Sequence, residues 1–162
     1  MKKILFYLAL LFCESRATPD TADVFVNLVR FEGYKVIPYR DGNHWVIGVG
    51  HSLTGHKETV KKSYSYEEIR NYFLSDYAEA LATCRRLVDD FDRLPEPIQL
   101  LCLNLVWSVG PTGFSKFKNF RLALKYCAYS TARIELALSK WASQVQPARR
   151  DWALNQLKQF TN

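Results

Sequence analysis

Residues 31–51, FEGYKVIPYRDGNHWVIGVGH, restrict what this chain can fold into more than any other stretch. Two runs rich in Val, Ile, Tyr and Trp flank Asp41-Gly42, and a glycine there tolerates the positive φ of a tight turn. The pattern predicts an antiparallel hairpin whose second arm covers 44–49 and ends at Gly50-His51. Just upstream, Phe25, Leu28, Val29 and Glu32 follow i, i+3, i+4, i+7 spacing. That spacing predicts an amphipathic helix with Glu32 on its apolar side, and Gly33 is placed to stop it. A helix must therefore end on a carboxylate and hand the chain directly to a small sheet.

Glu32 and Asp41 are the candidate chemistry. A carboxyl group on an apolar helix face, at the negative end of the helix dipole, is set up to serve as a proton donor. The same position suits a structural glutamate neutralised by an arginine. Asp41 in turn suits a hairpin turn as well as it suits catalysis. Together, two carboxylates at a helix end and a hairpin turn fit acid/base work on a substrate lying between them.

The rest of the chain supplies a helical body. Ser65-Tyr-Glu-Glu68 is a capping box, and it opens a long helix of about 66–90. Its apolar positions Ile69, Tyr72, Phe73, Tyr77, Leu81, Cys84 and Val88 keep close to a 3.6 period. Residues 52–63 are polar and loop-like, with room for a third short strand at 59–62. Pro95-Glu-Pro97 breaks the chain and starts another helix. Residues 98–109 are apolar nearly all round, which predicts the buried axis of a helical lobe, with Asn104 as its one polar residue needing a buried partner. Gly110-Pro-Thr-Gly113 should end that helix. Shorter helices are expected near 118–128, 131–143 and 148–160. The fold class expected is α+β, mostly helical, with a sheet lobe about 33–64, the connecting helix, and a helical lobe about 95–162.

Size and charge narrow the function classes. A chain of 162 residues, 48% hydrophobic and 14% aromatic, can bury a real core and is not a disordered one. Its net charge of +6 points to an acidic partner. No continuous Lys/Arg run or nucleic-acid motif accompanies that charge, which argues against nucleic acid. At the start, Lys2-Lys3, the apolar run 4–12 and Ser15-Arg-Ala17 have the form of a cleavable export signal, too short to span a bilayer. The alternative is a first helix packed on the domain. Cleavage after Ala17 removes Lys2, Lys3, Glu14 and Arg16 and leaves about +4. Of Cys13, Cys84, Cys102 and Cys127, three remain in the domain at 18–162, with spacings that match no metal motif. Cys84 and Cys102, among apolar helical neighbours, are expected to be buried free thiols, although export would permit one disulfide.

The combination of Glu32-Gly33, Tyr39-x-Asp41 and Ile47-Gly-Val-Gly-His51 resembles the phage-type lysozymes, glycoside hydrolase family 24. Further along, residues 104–110 (NLVWSVG) with Gly113-Phe114 are similar to that family's central helix and its exit. Ser139-Lys-Trp141 and Pro147-Ala-Arg149-Arg150 are similar to its C-terminal signature. The resemblance covers about residues 21–160 in order. It implies a lysozyme-like fold with a cleft between the two lobes. The implied substrate is peptidoglycan, cut at the β-1,4 bond between N-acetylmuramic acid and N-acetylglucosamine. Glu32 would protonate the leaving oxygen, and Asp41 would steer water or steady the developing positive charge. His51 is expected within ion-pair reach of Asp76. Arg149, with Arg150 as its competitor, is expected to face Glu32.

In one place the chain departs from the pattern. The family usually has a threonine five residues before the histidine, where its hydroxyl helps hold the attacking water. Here the residue is Val46, and no Ser or Thr occurs from Gly42 to Gly50-His51. His44 is the evident polar substitute. Two other readings therefore stay open. One is a lytic transglycosylase, which needs an acid but no attacking water. The other is a degenerate peptidoglycan-binding or scaffold module. Expected partners are glycan strands alone: an exported monomer, with no nucleic acid, no stable membrane insertion after signal cleavage, and neither metal nor organic cofactor.

Overall fold

A computed structural model of the chain describes residues 18–53, 60–61 and 63–161. The segment 1–17 of the expected export signal, Cys13 included, lies outside the described residues. The chain divides into two compact units, Asp20–Ala82 and one built mainly of residues from Thr83 onward.

The first unit opens with helix α1 (Thr21–Glu32). Asp20 caps it, its carboxylate accepting from the Ala22 N–H at 2.7 Å. Gly33, at φ 75°, stops it and donates its N–H to the Val29 carbonyl at 2.9 Å. Strand β1 (Lys35–Asp41) and β2 (His44–Gly48) then form the expected hairpin. Gly42 occupies the first of the two loop positions at φ 57°, while Asn43 is not in the positive-φ region. Glycine-first is the arrangement of a type II′ hairpin, whose twist matches the flanking strands.

The third strand is not where the sequence pattern puts it. β3 is His51–Ser52, paired antiparallel with β2, and the sheet order is β1-β2-β3. Val60 and Lys61 belong to no strand, and 59 and 62 lie outside the described residues. A two-residue strand is defined by its neighbour alone and has no periodicity to read. Ile47 and Leu53 pack with Tyr64 and Ile69 in one apolar cluster, with Tyr34, Trp45, Val60 and Tyr72 against it. Phe25 of α1 meets Tyr34 and Phe73 edge-on at 5.8 and 5.0 Å between ring centroids.

Helix α2 (Tyr66–Leu87) starts on the expected capping box. The Glu68 N–H donates to Ser65 Oγ at 3.2 Å, and the Ser65 N–H donates to the Glu68 carboxylate at 2.9 Å. Lys61 closes an ion pair on the other carboxylate oxygen. The helix stops short of the expected 90. Asp90 takes φ 52°, and a single 3-10 turn (Phe91–Arg93) follows.

The second unit is helical. α3 (Glu96–Ser115) carries Ile98, Leu101, Leu103 and Leu105 at no more than 1% exposure. Burial around its whole circumference makes it the axis of its unit, each full aliphatic burial stabilising by ~1.5–3 kcal/mol. Two details differ from the sequence expectation. Gln99 is also fully buried, its amide donating to the Leu94 carbonyl at 2.8 Å, so Asn104 is not the lone buried amide. Gly110 kinks the helix at φ 69°, but one further helical turn runs on to Ser115. The remaining helices are α4 (Lys118–Lys125), α5 (Tyr129–Ala137), α6 (Lys140–Gln144) and α7 (Pro147–Lys158). The expected helix 131–143 is thus two helices. Ser139 splits it by capping α6, its hydroxyl accepting from the Ala142 N–H. α5 packs on α4, α6 and α7, and α7 packs on α3. Cys84 and Cys102 are buried free thiols, and Cys127 is exposed. Among the described residues no helix is long and apolar enough to cross a membrane. The α+β class, mostly helical with a small antiparallel sheet, is what the chain adopts.

The capping box has a measurable acid signature. Hydrogen bonds from Lys61 and then Ser65 pull the Glu68 carboxyl down from an ordinary value near 4.5 to about 2. A depressed carboxylate stabilises the fold above its unfolded value, and the contribution is lost as pH falls through the folded one. Side-chain NMR titration should give Glu68 a midpoint near 2, and a midpoint near 4.5 would mean that the box is not formed in solution.

Candidate active site

Most candidate residues of the sheet lie in the first unit, and the register sets which way they point. β1 and β2 pair Tyr39 with Val46, Arg40 with Trp45 and Asp41 with His44. Directly paired residues share a face, and alternate residues along a strand share it too. Tyr39, Asp41, His44 and Val46 therefore point to one face of the sheet. Val46 is also paired with Ser52, which extends the row. Arg40 and Trp45 occupy the other face, the guanidinium 5.0 Å from the indole ring centre.

Glu32 ends α1 and is partly buried, while Asp41 ends β1 and is exposed. One side chain responds to both. The Tyr39 hydroxyl is raised above its ordinary value of 10.0, first by burial, then by the charge of Asp41, then by that of Glu32. The two carboxylates thus act on a common phenol. Val46 is buried at 6% exposure, and His44, opposite Asp41, is exposed.

Behind this face the hairpin is fastened to α2. Gly48 has φ 61°, and a Cβ there would stand 2.7 Å from Ile69 Cγ2, so only glycine fits. Gly50 has φ 86° at the turn into β3. His51 is buried, with Nδ1 at 2.8 and 3.0 Å from the two oxygens of Asp76. Its ring stacks on Tyr72 with centroids 4.2 Å apart. The expected ion-pair reach between His51 and Asp76 is therefore present.

Asn104 and Arg149 meet within the second unit. Arg149 Nε donates to Asn104 Oδ1 at 2.8 Å and Nη2 donates to the Asn104 carbonyl at 3.3 Å. Both residues are buried, at 1% and 6% exposure. Arg150, one residue on, instead forms a surface ion pair with Asp151. α7 thus turns Arg149 inward and Arg150 outward. The second unit also holds a groove of about 880 Å³, lined among others by Lys116, Lys118, Glu135 and Trp141. No sequence motif marks this groove, because its walls are assembled from several helix ends between Ser108 and Val145. Tyr39 joins the candidate residues only through the structure, although the two-residue spacing to Asp41 already places both on one strand face. Among the described residues no group of three or more His, Cys, Asp or Glu side chains could hold a metal ion.

Arg149→Ala should cost roughly 2–3 kcal/mol of stability, since it leaves the buried Asn104 oxygen without its charged donor. Arg150→Ala should change stability by less than about 0.5 kcal/mol, as expected of an exposed pair. Urea denaturation of both variants checks this, and equal losses would contradict the inward placement of Arg149.

A search of curated proteins finds no match. A family model described as Phage lysozyme matches residues 29–153, from the end of α1 into α7. That match covers most of the chain and every candidate site residue, and the chain belongs to the phage lysozyme family, whose members break down bacterial peptidoglycan.

Proposed function

We propose that the chain is a muramidase that hydrolyses the β-1,4 bond between N-acetylmuramic acid and N-acetylglucosamine. One observation carries the reading: a helix ends on Glu32 and the hairpin's first strand ends on Asp41, both within one compact unit. Glu32, partly buried, is the general acid that protonates the leaving glycosidic oxygen. Asp41, exposed, is the base or charge partner for water arriving at the anomeric carbon. The net charge of +6 suits an anionic wall polymer. Buried Arg149 is held by Asn104 within the second unit.

A specific observation also favours a second reading. Val46 puts a buried aliphatic side chain in the row opposite Tyr39, where a hydroxyl would aid hydrolysis. A lytic transglycosylase closes the sugar's own hydroxyl onto the anomeric carbon and needs no held water. A module that binds the wall without cutting it needs neither carboxylate.

Reducing ends released from purified peptidoglycan test the assignment. The wild type should release them, and Glu32→Gln should lower the rate by at least about 10²-fold, the scale of general acid catalysis. Asp41→Asn should cripple hydrolysis but would leave a transglycosylase working. An active Glu32→Gln variant would remove Glu32 from the reaction.

A further inference from the structure

We propose that Tyr39 is a positioning residue of this cleavage, its hydroxyl holding the attacking water beside Asp41 where Val46 offers no hydrogen-bonding group. The inference rests on the muramidase reading and extends it.

The geometry comes from the sheet. Tyr39 lies two residues before Asp41 on β1, so their side chains leave the same face, about 6.6 Å apart along the strand. Tyr39 is also the direct cross-strand partner of Val46. Its longer side chain thus projects from beside the position where a hydroxyl is missing. The ring is half-buried and held from one side by Lys35, whose Nζ lies 3.9 Å from the ring centre. Among the described residues nothing hydrogen-bonds its hydroxyl, which leaves both a donor and an acceptor for a bound water. The charges of Asp41 and Glu32 both raise the value of that hydroxyl, after burial, which agrees with the placement. The raised value also keeps the phenol protonated across the physiological range.

The step balances without any other reagent. Water oxygen forms the new bond to the anomeric carbon as the glycosidic C–O bond breaks. One water proton passes to Asp41, and the Glu32 proton passes to the leaving oxygen. The second water O–H is held by the Tyr39 oxygen, while the phenol proton stays where it is.

His44 is the competing group, since it faces Asp41 across the hairpin end. Steady-state kinetics on soluble peptidoglycan fragments separates the two. Tyr39→Phe keeps the ring and should lower kcat about tenfold with KM within about twofold, the worth of one hydrogen bond to a reacting group. Adding Val46→Thr to Tyr39→Phe should recover most of that loss, and should gain more there than in the wild-type background. A Tyr39→Phe variant with wild-type kcat overturns the inference, as does an equal gain from Val46→Thr in both backgrounds. A tenfold loss for His44→Ala beside an unaffected Tyr39→Phe assigns the water to His44 instead. A wild type that leaves the fragments whole overturns the muramidase reading and this inference with it. A wild type that cleaves, beside an indifferent Tyr39→Phe, overturns this inference alone.

Discussion

The register of the β1–β2 hairpin is the constraint on which the rest of the candidate site depends. A shift by one residue would turn every side chain of the strand to the opposite face. Asp41 and Tyr39 would then change places with Arg40. Three features oppose such a slip. The two-residue Gly42-Asn43 loop fixes the pairing of Asp41 with His44. At the far end of β2, Gly48 touches Ile69 so closely that no side chain fits there. Beyond it, the His51–Asp76 pair and the Tyr72 stack tie the short third strand to α2. The hairpin is thereby locked at its turn, by close packing, and by the His51–Asp76 contact, each on a different residue.

That locking has a chemical purpose under the proposed reading. General acid catalysis requires a donor held at fixed distance from the bond it protonates, and α1 holds Glu32 through its glycine stop. The hairpin holds Asp41 independently. The second unit solves a different problem, that of satisfying the donors of a buried arginine. Bidentate donation from Arg149 to Asn104 offsets the loss of water around the guanidinium. Gln99 and Asn104 use the same strategy on the buried axis helix, each amide engaged with a partner inside the unit.

Much of this was legible in the sequence because it is local. The helix stop at Gly33, the hairpin at Asp41-Gly42 and the capping box at Ser65–Glu68 each depend on residues within a few positions of one another. The His51–Asp76 contact spans 25 positions and was reached only through the family resemblance. What escaped was set by distant partners. β3 exists because β2 pairs with it, not because two residues carry a pattern. The burial of Gln99 depends on a carbonyl at the end of the preceding turn, and nothing in an amide's identity announces that. The split of 131–143 turned on the Ser139 hydroxyl acting as a cap inside a continuous apolar rhythm. Tyr39 was visible as part of a motif, but its relation to Val46 is a fact of register.

The departure at Val46 makes water the crux of the account, and an isotope can follow that water directly. Peptidoglycan digested by the wild-type protein in ¹⁸O-labelled water should yield fragments whose new reducing ends carry one labelled oxygen on the anomeric carbon. Unlabelled fragments lighter by one water, closed onto their own hydroxyl, would contradict hydrolysis and establish the transglycosylase. Uncut wall that retains the protein would contradict both and leave a binding module.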